Sequence, residues 1–346
     1  MKPLDRTLLI LLVGILALAA APAALGDDVG GAGSDGFEIF DDPIIREMRK
    51  LDKIAPFEDL APLWDYGDPE LQREVDAAIE DLGLTEAVKR RKVASVLVDI
   101  SDLANPRVAS VNGDVMMYAA SLPKIAVLLG AFEKIAQGKM ELDAKNEKAL
   151  KQMIRRSSNT AATAMMHEVG KEYIARVLLS PRYRLYDLKH NGGLWVGKDY
   201  AKSGLWRRDP LHNLSHGATA IQVARFYYLL ATENLVTPEH SRQMKEFLAS
   251  TQLEHKFARA IHVVNPKAQL FRKSGSWSTF HADSALVERD GRAYIAVALA
   301  DNKEGSAWMT RIAVKFDRII FAQVPEQKPA KASRADPSPR YRVHRR

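Results

Sequence analysis

Three short clusters in the sequence carry residue types suited to acyl transfer. Ser121-Leu122-Pro123-Lys124 is the only Ser-x-x-Lys in the chain. Three positions apart on a helix, a hydroxyl and an amine share one face and reach each other. A serine hydroxyl alone is a weak nucleophile, and a neighbouring amine held neutral can take its proton. The start of that helix adds backbone N–H groups able to bind a developing oxyanion. The alternative reading is a capping serine. Ser157-Ser158-Asn159 follows the polar pair Arg155-Arg156. A hydroxyl and a carboxamide there can relay a proton to a leaving group and orient a substrate amide, although Ser and Asn also suit an ordinary helix N-cap. Lys273-Ser274-Gly275 ends a strand at a hairpin. Its lysine and hydroxyl can bind a carboxylate, and its glycine lets a substrate lie against the strand.

Two decoys share these patterns. Ser110-Val111-Asn112 fits Ser-x-Asn but precedes Ser121 and reads as a turn. Lys202-Ser203-Gly204 lies in a loop with no strand signal.

The elements around the clusters alternate in type. Asp68-Pro69 reads as a cap followed by a first-turn proline. Leu71, Val75, Ile79 and Leu82 then repeat at helical spacing up to Gly83. The β-branched run Val93 to Ile100 predicts a strand, and Arg107 to Val111 a second. Asn112-Gly113 predicts a turn leading into a third at Val115 to Tyr118. A helix is expected from Ser121 to Ala136, with Pro123 tolerated in its first turn. Helical patterns continue to about residue 258, broken by a glycine- and tryptophan-containing loop from Asp187 to His216. Thr219 is expected to cap a helix over Ala220 to Ala231. Gln269 to Lys273, Ala282 to Glu288 and Ala293 to Ala300 read as strands, and Ala307 to Ala322 as a final helix. This order predicts an α+β fold: a sheet assembled from both ends of the chain, about 68–120 and 259–325, with an all-helical lobe at about 121–258 inserted between them. A cleft is expected where the two meet.

Taken in order and on these elements, the three clusters resemble the signature of the serine β-lactamase and penicillin-binding protein superfamily, and most closely class A β-lactamases. Ala120-Ser121-Leu122-Pro123-Lys124, Ser157-Ser158-Asn159-Thr160-Ala161 and Leu229-Leu230-Ala231 leading to Leu235-Val236-Thr237-Pro238 carry the likeness. It spans roughly residues 69–322. It implies an antiparallel sheet of about five strands flanked by helices, with Ser121 as nucleophile and Lys124, Ser157 and Asn159 beside it. Lys273, Ser274, Gly275 and Ser276 would contact substrate, and the N–H groups of Ser121 and Ser276 would form the oxyanion hole. Three features depart from the pattern. Ser158 stands where class A has Asp, and the connection from Ser121 to Ser157 is short. The loop before Thr219 also lacks the Glu-x-x-Leu-Asn that activates the deacylating water. His190 to Lys198 contains no carboxylate, leaving Asp187, Asp199 and Asp209 as neighbours by proximity only.

Composition narrows the function classes. The formal charge is +7, but residues 326–346 carry seven Lys/Arg against Glu326 and Asp336. The body is therefore nearly neutral and has no footprint for nucleic acid. The basic Pro-rich tail is expected to be disordered and to touch anionic envelope material in a salt-sensitive way. Lys2 and Arg6 precede an apolar run from Leu8 to Ala21, and Ala24-Leu25-Gly26 follows. Residues 1–26 thus read as a secretory signal, with an uncleaved anchor as the alternative, and imply a periplasmic protein. Residues 27–67 form a leader without an assignable role. With no cysteine in the chain, disulfides, thiolate metal sites and a cysteine nucleophile are excluded. His190, His212, His216 and His281 lack a compact ligand spacing, so neither metal nor cofactor is expected. Trp195, Tyr200, Trp206 and Trp277 are candidates to line the cleft or to pack the loop. The reading is a monomeric serine hydrolase acting on a β-lactam or a peptidoglycan peptide. A D-Ala-D-Ala peptidase and a non-catalytic cell-wall binding module are the alternatives.

Overall fold

The computed structural model describes residues 61–202 and 204–322. The expected signal sequence at 1–26, the expected leader up to residue 60, the expected basic tail 326–346 and Ser203 of the second decoy lie outside them.

After a 3-10 turn at Leu63–Tyr66 come α1 (Pro69–Asp81) and α2 (Thr85–Lys89), then β1 (Val93–Asp99), β2 (Arg107–Val111) and β3 (Met117–Tyr118). Four helices follow: α3 (Lys124–Ala136), α4 (Ala144–Arg155), α5 (Asn159–Val169) and α6 (Lys171–Leu179). The loop after them holds the short strands β4 (Tyr186–Asp187), β5 (Gly192–Gly193), β6 (Trp195–Val196) and β7 (His216–Ala218). The chain continues through α7 (Ala220–Ala231), α8 (Pro238–Leu248) and α9 (Phe257–Val264). It closes with β8 (Gln269–Trp277), β9 (Phe280–Arg289), β10 (Arg292–Asp301) and α10 (Gly305–Ala322).

The fold is α+β, and its main sheet is antiparallel with strand order β2-β1-β10-β9-β8. The two ends of the chain meet where β1 pairs with β10, from Val93↔Ala300 to Asp99↔Tyr294. Side chains of β1 alternate between two cores, as a strand covered on both faces requires. Ala94, Val96 and Val98 face the core shared with α3 and α7. Val93 and Leu97 face the core built with α1, α9 and α10. Asp68 caps α1 by accepting from Leu71 N at 2.7 Å, and Thr219 caps α7 by accepting from Gln222 N. Helix α3 is buried on every side from Lys124 to Phe132 and forms the axis of the helical region.

Two segments differ from expectation. Val115 to Tyr118 does not return along β2; Met117 pairs with Ala218 instead. Asn112 explains the divergence. It sits at φ 50°, and its side-chain amide donates to Val88 O and Val93 O, which pins the turn against β1 and steers the chain away. Helix α9 carries helical structure past residue 258, through part of the stretch before Gln269 to which the sequence assigns no element. Its Phe257, Ala258, Ala260 and Ile261 fill the second core.

Arg272 on β8 and Asp283 on β9 form a fully buried bidentate pair, with N···O distances of 2.8 and 2.7 Å. The remaining three guanidinium hydrogens go to Leu253 O, His255 O and Thr251 Oγ1, and Asp283 also accepts from Phe257 N. Removing one partner leaves an uncompensated buried charge, which costs about 3–5 kcal/mol. Asp283→Ala should therefore lower the unfolding midpoint in denaturant strongly, whereas the double variant Arg272→Met/Asp283→Leu should lose less than the two single changes together. An unchanged midpoint in Asp283→Ala would show the pair to be energetically idle.

Candidate functional site

Ser121 lies on the turn that feeds α3, and Lys124 is the first residue of that helix. The turn is sharp: Ala120 sits at φ 50°, a left-handed conformation that costs a non-glycine residue energy. It brings Lys124 Nζ to 3.1 Å from Ser121 Oγ. The amine donates to Ser157 O at 2.7 Å and to Asn159 Oδ1 at 2.8 Å. A neutral amine has two hydrogens and one lone pair. In that neutral form, with both hydrogens on these two acceptors, the lone pair would be free to accept from the Ser121 hydroxyl. Lys124 is fully buried, and burial lowers its pKa to about 7.

Lys273 approaches from β8, donating to Ser157 Oγ at 2.9 Å and to Ser274 O at 2.6 Å. Burial, then the charge of Lys124, holds its pKa well below the ordinary lysine value. Among the described residues no carboxylate hydrogen-bonds to either amine. Ser157 Oγ therefore sits between two buried amines, at 3.4 Å from Lys124 Nζ and 2.9 Å from Lys273 Nζ. An incoming anion would favour the protonated form of these amines and so oppose the effect of burial.

The capping role falls on Ser158, which accepts from Ala161 N at 3.2 Å; Ser157 is displaced into the cleft at φ 56°. Gly275 is required by close approach. A Cβ there would lie 2.3 Å from Ala119 O, 2.7 Å from Ser121 N and 2.9 Å from Leu122 N. Only a glycine lets the edge strand β8 lie this close to the serine turn. All eight sequence-selected residues, Ser121, Lys124, Ser157, Asn159, Lys273, Ser274, Gly275 and Ser276, thus meet where α3, α5 and β8 converge. The decoy Ser110-Val111-Asn112 stays on β2 and its turn, with Ser110 N donating to Gln72 Oε1.

The three loop carboxylates Asp187, Asp199 and Asp209 are engaged by other partners. Asp187 pairs with Arg184 and His190 and caps Lys189 N. Asp199 pairs with His167 at 2.8 Å and Lys171 at 2.6 Å. Asp209 accepts from Tyr186 Oη and from the N–H groups of Leu211, His212 and Leu214. What meets Lys124 from the loop is the Tyr200 ring, its centroid 4.4 Å from Nζ. The Tyr200 hydroxyl is buried and has no hydrogen-bond partner among the described residues.

The other aromatics divide between the two roles. Trp195 is buried, stacks with Trp206 at 6.3 Å and donates its indole N–H to Arg207 O, so these two pack the loop. Trp277 stands edge-on to Tyr118 at 5.7 Å, at the end of β8. The four histidines are separately engaged: His190 stacks on Trp64, and His212 meets Asn191 Oδ1. His216 meets Lys198 O, and His281 meets Ser276 Oγ. Among the described residues no group of three or more His, Asp or Glu could hold a metal ion. One residue at the site has no motif to announce it: Lys256 reaches beneath β8 to Gly275 O and Ser276 Oγ.

The model of the family described as "Beta-lactamase enzyme family" matches residues 74–148 and 144–319. No curated protein matches the sequence. Among solved structures, a β-lactamase from Sphaerobacter thermophilus DSM 20745 is similar at a TM-score of 0.57 and 16% identity, over 73% of this chain and 98% of that one. PBP-A is similar at 0.54 and 13%, over 72% and 95%. An ancestral class A β-lactamase is similar at 0.54 and 15%, over 70% and 99%. At these identities the likeness speaks for the fold.

Proposed function

The chain belongs to the β-lactamase enzyme family, and from that premise we propose a serine hydrolase that forms an acyl-enzyme at Ser121 with β-lactams or related amides. The observation that carries the proposal is the buried Lys124 amine, 3.1 Å from Ser121 Oγ, whose neutral form has a lone pair able to take the serine proton. Ser121 Oγ attacks the carbonyl carbon, its proton passes to Lys124 Nζ, and the carbonyl oxygen becomes an oxyanion facing the N–H groups of Ser121 and Ser276. Collapse breaks the C–N bond, and Ser157 Oγ–H passes a proton to the departing nitrogen, replenished from Lys124. Lys273 and Ser274 hold the substrate carboxylate, a group carried both by β-lactams and by peptides ending in D-Ala. Among the described residues no carboxylate hydrogen-bonds to Lys124, which favours slow release of the acyl group and suits a D-Ala-D-Ala peptidase as the second reading.

Covalent labelling with penicillin tests the shared chemistry, and comparing nitrocefin hydrolysis with D-Ala release separates the two substrates. Failure of all three would leave the binding module as the better account. Because Lys124 acts as a base only when neutral, the acylation rate constant should rise with pH through about 7 and level off above it. Stopped-flow measurement of the burst between pH 5.5 and 8.5 checks this; a rate that falls over that range would remove Lys124 as the proton acceptor.

A further inference from the structure

Lys256 lies on the loop before α9, well outside the three motifs, and its side chain is almost fully buried. Its Nζ donates to Gly275 O at 2.7 Å, Ser276 Oγ at 2.8 Å and Ala282 O at 3.1 Å. The backbone at Lys256 is forced, with φ 51° and ψ −119°. Its neighbours supply the force. The His255 carbonyl accepts from Arg272 and the Phe257 N–H donates to Asp283, so both sides of Lys256 are tied to one buried ion pair. A non-glycine residue in such a conformation persists only where the surroundings over-determine it. Here the outcome is an amine aimed at one peptide unit of β8.

That peptide is the one between Gly275 and Ser276. In a trans peptide the C=O and N–H point in opposite directions. Its carbonyl turns toward Lys256 and β9, so its N–H points off the free edge of β8. Gly275 lies against the Ser121 turn, with its Cβ position 2.7 Å from Ser121 N. We infer that Lys256 is a positioning residue for the oxyanion site, its ammonium fixing and polarising the Gly275–Ser276 peptide so that the Ser276 N–H binds the developing oxyanion more strongly. This rests on the acyl-enzyme reading above. Hydrogen bonds in series strengthen one another, and one to a charged donor does so most. Burial lowers Lys256 only to about 8, with Asp283 favouring the charged form, so the group is a cation at neutral pH.

The test compares the full-length protein with Lys256→Met and Lys256→Arg at pH 6.5, using penicillin G labelled with carbon-13 at the ring carbonyl. In the Met variant the acylation rate constant should fall by about tenfold, less than the 10²–10³ that follows loss of a whole oxyanion donor. The ester carbonyl stretch of the acyl-enzyme should move to higher frequency, and Arg should restore both. If Lys256→Met does not fold, Lys256→Gln, which keeps only a neutral donor, should still move the band above the wild-type frequency. A normally labelled variant, Met or Gln, with its band at the wild-type frequency would overturn the inference while leaving the acyl-enzyme intact. Absence of any Ser121 adduct in the wild type would overturn the acyl-enzyme reading and this inference with it.

Discussion

Ser121→Ala should fold normally and take up no fluorescent penicillin. In the proposed mechanism the hydroxyl is the attacking atom, and the neighbouring groups are engaged elsewhere. Lys124 is buried behind it with its hydrogens committed to Ser157 O and Asn159 Oδ1. Ser157 Oγ is held by Lys273 on the far side of the cleft. Removing the nucleophile of a serine hydrolase costs about 10⁶-fold in rate, so labelling falls below detection. The stability cost should stay near that of one hydrogen bond, about 1 kcal/mol, because only the contact with Lys124 is lost. Gel fluorescence and a denaturant midpoint together separate loss of chemistry from loss of fold. Undiminished labelling in this variant would move the nucleophile elsewhere.

The second large effect concerns release of the acyl group. Acylation needs a nucleophile, a proton acceptor and oxyanion donors, and each has a candidate at the cleft. Hydrolysis of the ester needs in addition a water held and deprotonated. The carboxylates nearest in sequence are turned away: Asp187 toward Arg184, Asp199 toward His167 and Lys171, and Asp209 toward its own loop. The Tyr200 ring covers Lys124 instead, offering no base. Loss of a general base costs about 10²–10⁴-fold. Nitrocefin should therefore give a burst of one equivalent per enzyme followed by a much slower steady phase. Rapid hydrolysis without a burst would require a base that swings in. Asp199, adjacent to Tyr200 in the chain, would be the first to test as Asp199→Asn.

Legibility in the sequence followed the range of the interactions involved. Asp68, Pro69 and Thr219 act within one helical turn, and their caps are readable from local residue types. The strands β1, β2 and β8 to β10 are β-branched or alternating runs whose pairing order follows from the chain ends. The three clusters were legible because each pairs a reactive residue type with a local element. What escaped depends on distant partners. The turn at Asn112 is redirected by carbonyls of Val88 and Val93, which no local pattern announces. Helix α9 and the forced backbone of Lys256 depend on the Arg272–Asp283 pair, assembled from β8 and β9. Tyr200 could be named as a cleft aromatic, but its place over Lys124 depends on how the whole loop packs. The lack of a carboxylate in the sequence from His190 to Lys198 was the exception, visible at once because it needs no partner to be read.

The most direct test of the Ser121 acyl-enzyme is the intact mass of the full-length protein over time after mixing with penicillin G. Ring opening expels no fragment, so a single adduct of the whole β-lactam mass should appear, map to the peptide containing Ser121, and persist long after free penicillin is removed. A mass that never changes, or an adduct on any other residue, would contradict the account.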